Sequence, residues 1–191
     1  MTSLLRRTSR DTDRTFKKFG RKSGSIPWRD EWLQKEMIER DLLRIVRKQF
    51  KLDWKEIHGV RHWARVRANG LRLAELTGAK PRIIELFAFL HDSRRMNDDF
   101  DPEHGRRAAS FAETLVGSAF QVEALDLELL LAACRGHSDG LIVGDITVLT
   151  CWDADRLDLG RVGIKPNPTY LCTDAARDAG IIEWAYRRSI R

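Results

Sequence analysis

The chain has five histidines, His58, His62, His91, His104 and His137, and none lies in its basic N-terminal stretch. Two acidic positions sit in apolar surroundings: Asp92 closes the run LFAFLHD, and Asp153 and Asp155 lie within LTCWDADRL. A carboxylate buried without a partner is very costly. A metal ion is one efficient partner and an arginine is the other. Neutral imidazole together with carboxylate suits zinc, iron, manganese or cobalt. His91 and Asp92 are adjacent, so on a regular helix they point about 100° apart. One ion at a helix end is within reach of both, or the aspartate bridges two ions. Taken singly, each histidine is more often a surface or core residue than a ligand.

The ordered set HWARV, ELFAFLHD, EHGRRAASFA, LAACRGH and WDADRLD resembles the HD superfamily of phosphohydrolases over about residues 54–160. Members share a helical core in which a His, an adjacent His-Asp and a later Asp bind a divalent metal. Carried onto this chain, the resemblance implies His62, His91, Asp92 and Asp155 as ligands. His58, four residues before His62, is a lower-ranked candidate. Asp153 is expected to support the ligands from behind or to partner a nearby base. Other branches of the family add two histidines that hold a second metal, and His104 and His137 stand at those places. The resemblance thus implies one or two ions of Mn, Fe, Zn, Co, Ni or Mg. In the one-ion alternative, His104 and His137 contact phosphate instead. Many members continue after His-Asp with a small run such as IGK, whereas this chain has Ser93-Arg94-Arg95, a departure that bears on the substrate class.

The chemistry implied is phosphoester hydrolysis. A divalent ion lowers the pKa of bound water to about 7, and two ions about 3.5–4 Å apart clamp the attacking and leaving oxygens. Asp92 is the natural bridge, and with His104 and His137 it forms the expected catalytic group. Arginine offers phosphate a bidentate fork. Arg94 and Arg95 follow the His-Asp pair, and Arg106 and Arg107 follow His104. These are the candidate phosphate contacts, Arg94, Arg95 and Arg106 first among them; the other reading pairs them with the acids between residues 98 and 103. Arg65 is expected in a structural ion pair. The expected substrate is a nucleotide or other small phosphate ester. The alternatives are a phosphodiesterase acting on cyclic nucleotides, dinucleotides or nucleic-acid ends, and a non-catalytic module that binds through its basic arm.

These side chains must be carried by helices. From Trp28, apolar residues through Leu42, Ile45 and Val46 recur at helical spacing, predicting a helix to about Phe50. A second is predicted from near Trp54 to the stop at Gly78. Pro81 opens a third, apolar all round and therefore buried, which ends on His91-Asp92. Further helices are predicted over 104–116 and 122–136, through VLTCWDADRLD, and over about 175–188. No strand pairs or repeats are evident. The expected fold is all-α: a single helical bundle over 28–191 behind a flexible basic arm, residues 1–27.

Residues 1–24 hold eight bases and two acids, which is the whole net charge of +6, while the remaining bases and acids cancel. Such an arm attracts polyanions weakly and without sequence preference. The three cysteines, Cys134, Cys151 and Cys172, form no CxxC, so neither a disulfide framework nor a thiolate zinc site is expected. The chain has no apolar run of transmembrane length and no signal-peptide core, and a cytoplasmic protein with no membrane partner is expected.

Overall fold

A computed structural model of the chain describes residues 40–191, all helices, turns and loops, with no strand among them beyond one isolated bridge between Val116 and Phe120. The expected arm and the start of the first helix lie outside these residues. Helix α1 (40–49) turns Leu42 and Val46 into the core. Helix α2 (Val60–Thr77) starts later than the apolar pattern predicts. The Asp53 carboxylate accepts the Lys55 N–H at 2.8 Å, and the Val60 N–H donates to the Trp54 carbonyl at 2.8 Å. That capped turn takes up residues 53–59 and delays the helix until Gly59. At its other end α2 stops at Gly78, whose φ of 74° lies in the left-handed region.

Helix α3 (Pro81–Leu90) begins on proline, and every residue from Ile83 to Leu90 is buried. Helices α4 (His104–Leu115), α5 (Ala124–Gly136) and α6 (Ile146–Arg156) complete the bundle, α6 being capped by the Asp145 side chain. The predicted final helix is two: α7 (Asp174–Arg177) and α8 (Ala179–Ser189). Thr173 caps the first and Asp178 the second, so a new N-terminus opens where the apolar pattern runs on. Leu73 and Leu157 form a smaller cluster with Leu171, Ile181 and Ile182, which seats α7 and α8 against the bundle.

Two glycines let the helices approach closely enough to focus side chains on one point. A Cβ at Gly70 of α2 would lie 2.4 Å from Ile84 of α3 and 3.2 Å from Ala154 of α6. A Cβ at Gly105 of α4 would lie 2.5 Å from the Cys134 carbonyl oxygen of α5. The first contact closes the α2–α3–α6 corner and the second closes α4 onto α5. No helix among the described residues is long and apolar enough to cross a membrane.

Candidate metal centre

Six side chains from five helices and their ends converge. His62 comes from the first turn of α2, His91 and Asp92 from the end of α3, His104 from the start of α4, His137 from the end of α5, and Asp155 from the last turn of α6. All but Asp155 are buried. Their ligating atoms form two groups that share Asp92: His62, His91 and Asp92, and Asp92, His104 and His137, each within 4.8 Å.

In the first group the His62 and His91 Nε2 atoms are 3.0 Å apart. Asp92 Oδ2 lies 3.6 Å from the former and 3.7 Å from the latter. Asp155 Oδ1 lies 3.3 Å from His62 Nε2 and 3.9 Å from His91 Nε2. In the second group the His104 and His137 Nε2 atoms are 2.8 Å apart, with Asp92 Oδ1 at 3.2 Å and 3.6 Å from them. The two carboxylate oxygens of Asp92 therefore face different histidine pairs.

The other ring nitrogens decide what those Nε2 atoms are. His91 Nδ1 donates to the Phe87 carbonyl at 3.1 Å, His137 Nδ1 to the Cys134 carbonyl at 2.8 Å, and His104 Nδ1 to the Asp101 carbonyl. His62 Nδ1 donates to Asp158 Oδ2 at 2.7 Å. A carbonyl only accepts, so the proton of each neutral ring sits on Nδ1 and a lone pair on Nε2. Two such lone pairs facing each other at 3.0 Å or 2.8 Å repel unless a cation lies between them. Atoms bound at about 2.1 Å to one ion sit about 3.0–3.4 Å apart, close to the spacings here. Asp155 Oδ1 is buried with no hydrogen-bond donor, which also fits a cation. The donor set, imidazole and carboxylate, matches a divalent transition ion.

Charge balance follows from burial. Burial pulls the His91 imidazole down to about 3, so it stays neutral. Burial alone would raise Asp92, but His91, His104, His137 and His58 hold its carboxyl well below the usual range. Asp155 is likewise lowered against its burial, chiefly by His62 and His91. Burial opposes charge on His137, yet its hydrogen bond to Asp92 and that residue's charge raise it on balance. Asp92 thus draws positive charge towards itself, whether as a proton or as a metal ion.

No protein-family profile and no curated protein matches the chain. Among solved structures it is similar to a predicted HD superfamily hydrolase from an uncultured Thermotogales bacterium. The identity is 25%, the match covers 79% of this chain and 86% of the other, and the TM-score is 0.59. In this chain that fold carries a buried cluster of histidines around one aspartate. In fold and in this cluster the chain resembles the HD superfamily.

The other candidates are placed differently. His58 falls outside both groups; its Nδ1 donates to Asp92 Oδ2 at 2.9 Å. Arg95 reaches the centre, 3.6 Å from Asp92 Oδ1 and 3.3 Å from His104 Nε2. Arg94 and Arg106 do not: Arg94 bonds Gln49 and lies over the Phe111 ring, and Arg106 pairs with Glu103 on the surface. Arg107 pairs with Asp101. The pairing with acids between residues 98 and 103 thus occurs for Arg106 and Arg107, while Arg95 faces Asp92 and His104 and Arg94 does neither.

Among the described residues Asp153 neither backs one of the candidate ligands nor pairs with a base. It accepts the backbone N–H groups of Cys172 and Thr173 and the Thr173 hydroxyl, which ties the loop before α7 to α6. The residue that backs His62 is Asp158, which sequence reasoning missed. It lies three positions past Asp155 in the same DADRLD segment, and that spacing was the available signal. Arg65 grips Asp158 from the far side, at 2.6 Å and 3.1 Å, in the expected structural ion pair.

Proposed function

We propose that this HD protein is a metal-dependent phosphohydrolase that acts on a nucleotide or another small phosphate ester. The observation that carries the reading is the pair of opposed Nε2 contacts on either side of one buried aspartate. A divalent cation between the facing lone pairs satisfies such an arrangement in neutral rings. The likeness to a predicted HD superfamily hydrolase supports the reading.

His62, His91, Asp92 and Asp155 would hold one ion, and Asp92, His104 and His137 a second. Divalent ions held there would supply activated water and offset charge on the phosphoryl oxygens. The overall reaction adds water across the ester. A bond forms from the water oxygen to phosphorus, the ester P–O bond breaks, and the alcohol leaves carrying a proton. The chain's own residues prepare that exchange. The Asp158–Arg65 pair fixes the His62 ring, and the carbonyls of Phe87, Asp101 and Cys134 fix the other three. Arg95 brings a guanidinium to the edge of the group, where it can take a phosphate oxygen.

The test is metal analysis of the purified full-length protein, followed by phosphate release over a panel of small monoesters with each candidate ion restored. Bound transition metal together with phosphate release supports the reading. A metal-loaded protein that releases phosphate from none of them would refute it.

A further inference from the structure

Beside the second histidine pair lies a cleft of about 370 Å³ that opens from the candidate metal centre. Arg95 and His104 form its inner wall, and Asp99, Phe100, Pro102 and Asp139 its outer walls. The volume suits a small organic ligand rather than a polymer. Phe100 is 86% exposed, a large apolar area to leave in water. Its exposure is imposed by the backbone on both sides of it. Arg95 donates to the Asp99 carbonyl at 2.7 Å. The Asp101 carboxylate accepts the Met96 N–H at 2.8 Å and is gripped by Arg107. The loop is pinned while the ring stands free at the mouth.

The charges of the cleft are also specific. Arg95 supplies one cation, next to the metal ligands. Asp101 is neutralised by Arg107, but Asp99 and Asp139 have no cationic partner within ion-pair distance among the described residues. One phosphate fits beside Arg95; a second, further out, would meet two carboxylates.

We propose that this cleft selects a monophosphate whose leaving alcohol carries an uncharged flat ring, as in a nucleoside monophosphate. Phe100 stacks on the ring, and Asp99 and Asp139 accept hydrogen bonds from its amino or hydroxyl groups while repelling any further phosphate. A base on an aromatic side chain is stabilised by stacking whatever its edge pattern, so Phe100 selects for a ring and not for one base. The inference rests on the phosphohydrolase reading for the reaction, but not for the binding.

Two measurements separate the cases. In saturation-transfer NMR with adenosine 5′-monophosphate on full-length protein held in chelator, transfer to the base protons should be strong. In Phe100→Ala it should fall to background. In the metal-loaded enzyme, kcat/KM for adenosine 5′-monophosphate should exceed that for the diphosphate at least tenfold, and Asp99→Asn with Asp139→Asn should narrow the gap. Phe100→Ala should lower the preference for the monophosphate over glycerol 3-phosphate about tenfold. Base contact without phosphate release would overturn the phosphohydrolase reading and leave the pocket standing. Equal turnover of mono- and diphosphate, or base contact and preference unchanged in Phe100→Ala, would overturn the pocket.

Discussion

Gly105 offers a test of how the second histidine pair is held together. Its absent Cβ would lie 2.5 Å from the Cys134 carbonyl oxygen, 3.0 Å from that of Arg135 and 3.3 Å from His137 Nδ1. Ordinary contact begins at 3.4 Å, so Gly105→Ala forces α4 and α5 apart by about 0.9 Å. Neither obstacle is the end of a flexible side chain; both carbonyls belong to the last turn of α5. The separation falls on His104 and His137, whose Nε2 atoms are 2.8 Å apart. It also disturbs the bond from His137 Nδ1 to the same Cys134 carbonyl. Overpacking of this kind costs about 1–3 kcal/mol, which lowers Tm by roughly 2–4 °C per kcal/mol for a chain of this size. The variant should melt lower and, if two ions bind, lose the one held by His104 and His137 while keeping the one on His62, His91, Asp92 and Asp155. Calorimetry and metal stoichiometry by mass spectrometry read both effects, with Ser110→Ala on the exposed face of α4 as control. A variant with unchanged Tm and unchanged stoichiometry would show that the α4–α5 approach does not position the site.

If two ions bind, His104→Ala or His137→Ala should halve the metal content and Asp92→Ala should abolish it; unchanged content in both histidine variants would leave one ion and a phosphate-contacting role for the pair. Asp158→Asn removes the charge behind His62, and affinity for the first ion should fall about 10–100-fold, read by competition with a chromophoric chelator; equal affinity would reduce Asp158 to a fold contact. The thiols should be inert in the native protein. Burial pushes Cys134 and Cys172 up to about 12 and Cys151 well above its usual value, so each remains protonated at pH 8, where iodoacetamide needs thiolate. Rapid alkylation of the folded protein would contradict that environment.

Much of the candidate centre is legible in the sequence because its side chains sit where helices begin and end. The apolar run of α3 has one polar exit, and a carboxylate and an imidazole there have to be satisfied together. The order of His62, His91-Asp92, His104, His137 and Asp155, matched to the HD pattern, therefore points to side chains that the fold does bring together. Residues whose part depends on a partner far along the chain are not legible in this way. Asp153 and Asp158 occupy one short segment, yet one ties down the loop before α7 and the other backs a histidine 96 residues away. Arg94 and Arg95 are consecutive, and helical geometry alone does not say which turns to Asp92. The packing of α1, α4 and the acidic loop decides it, by giving Arg94 to Gln49 and Phe111 and Arg95 to the Asp99 carbonyl. The same holds for the breaks before α2 and between α7 and α8, where a capping side chain overrides apolar periodicity. Periodicity reports which face of a segment leaves water, and it is set residue by residue. The partner of a buried polar group is set by which segments the whole core brings within about 3 Å of it, and only the tertiary structure holds that information.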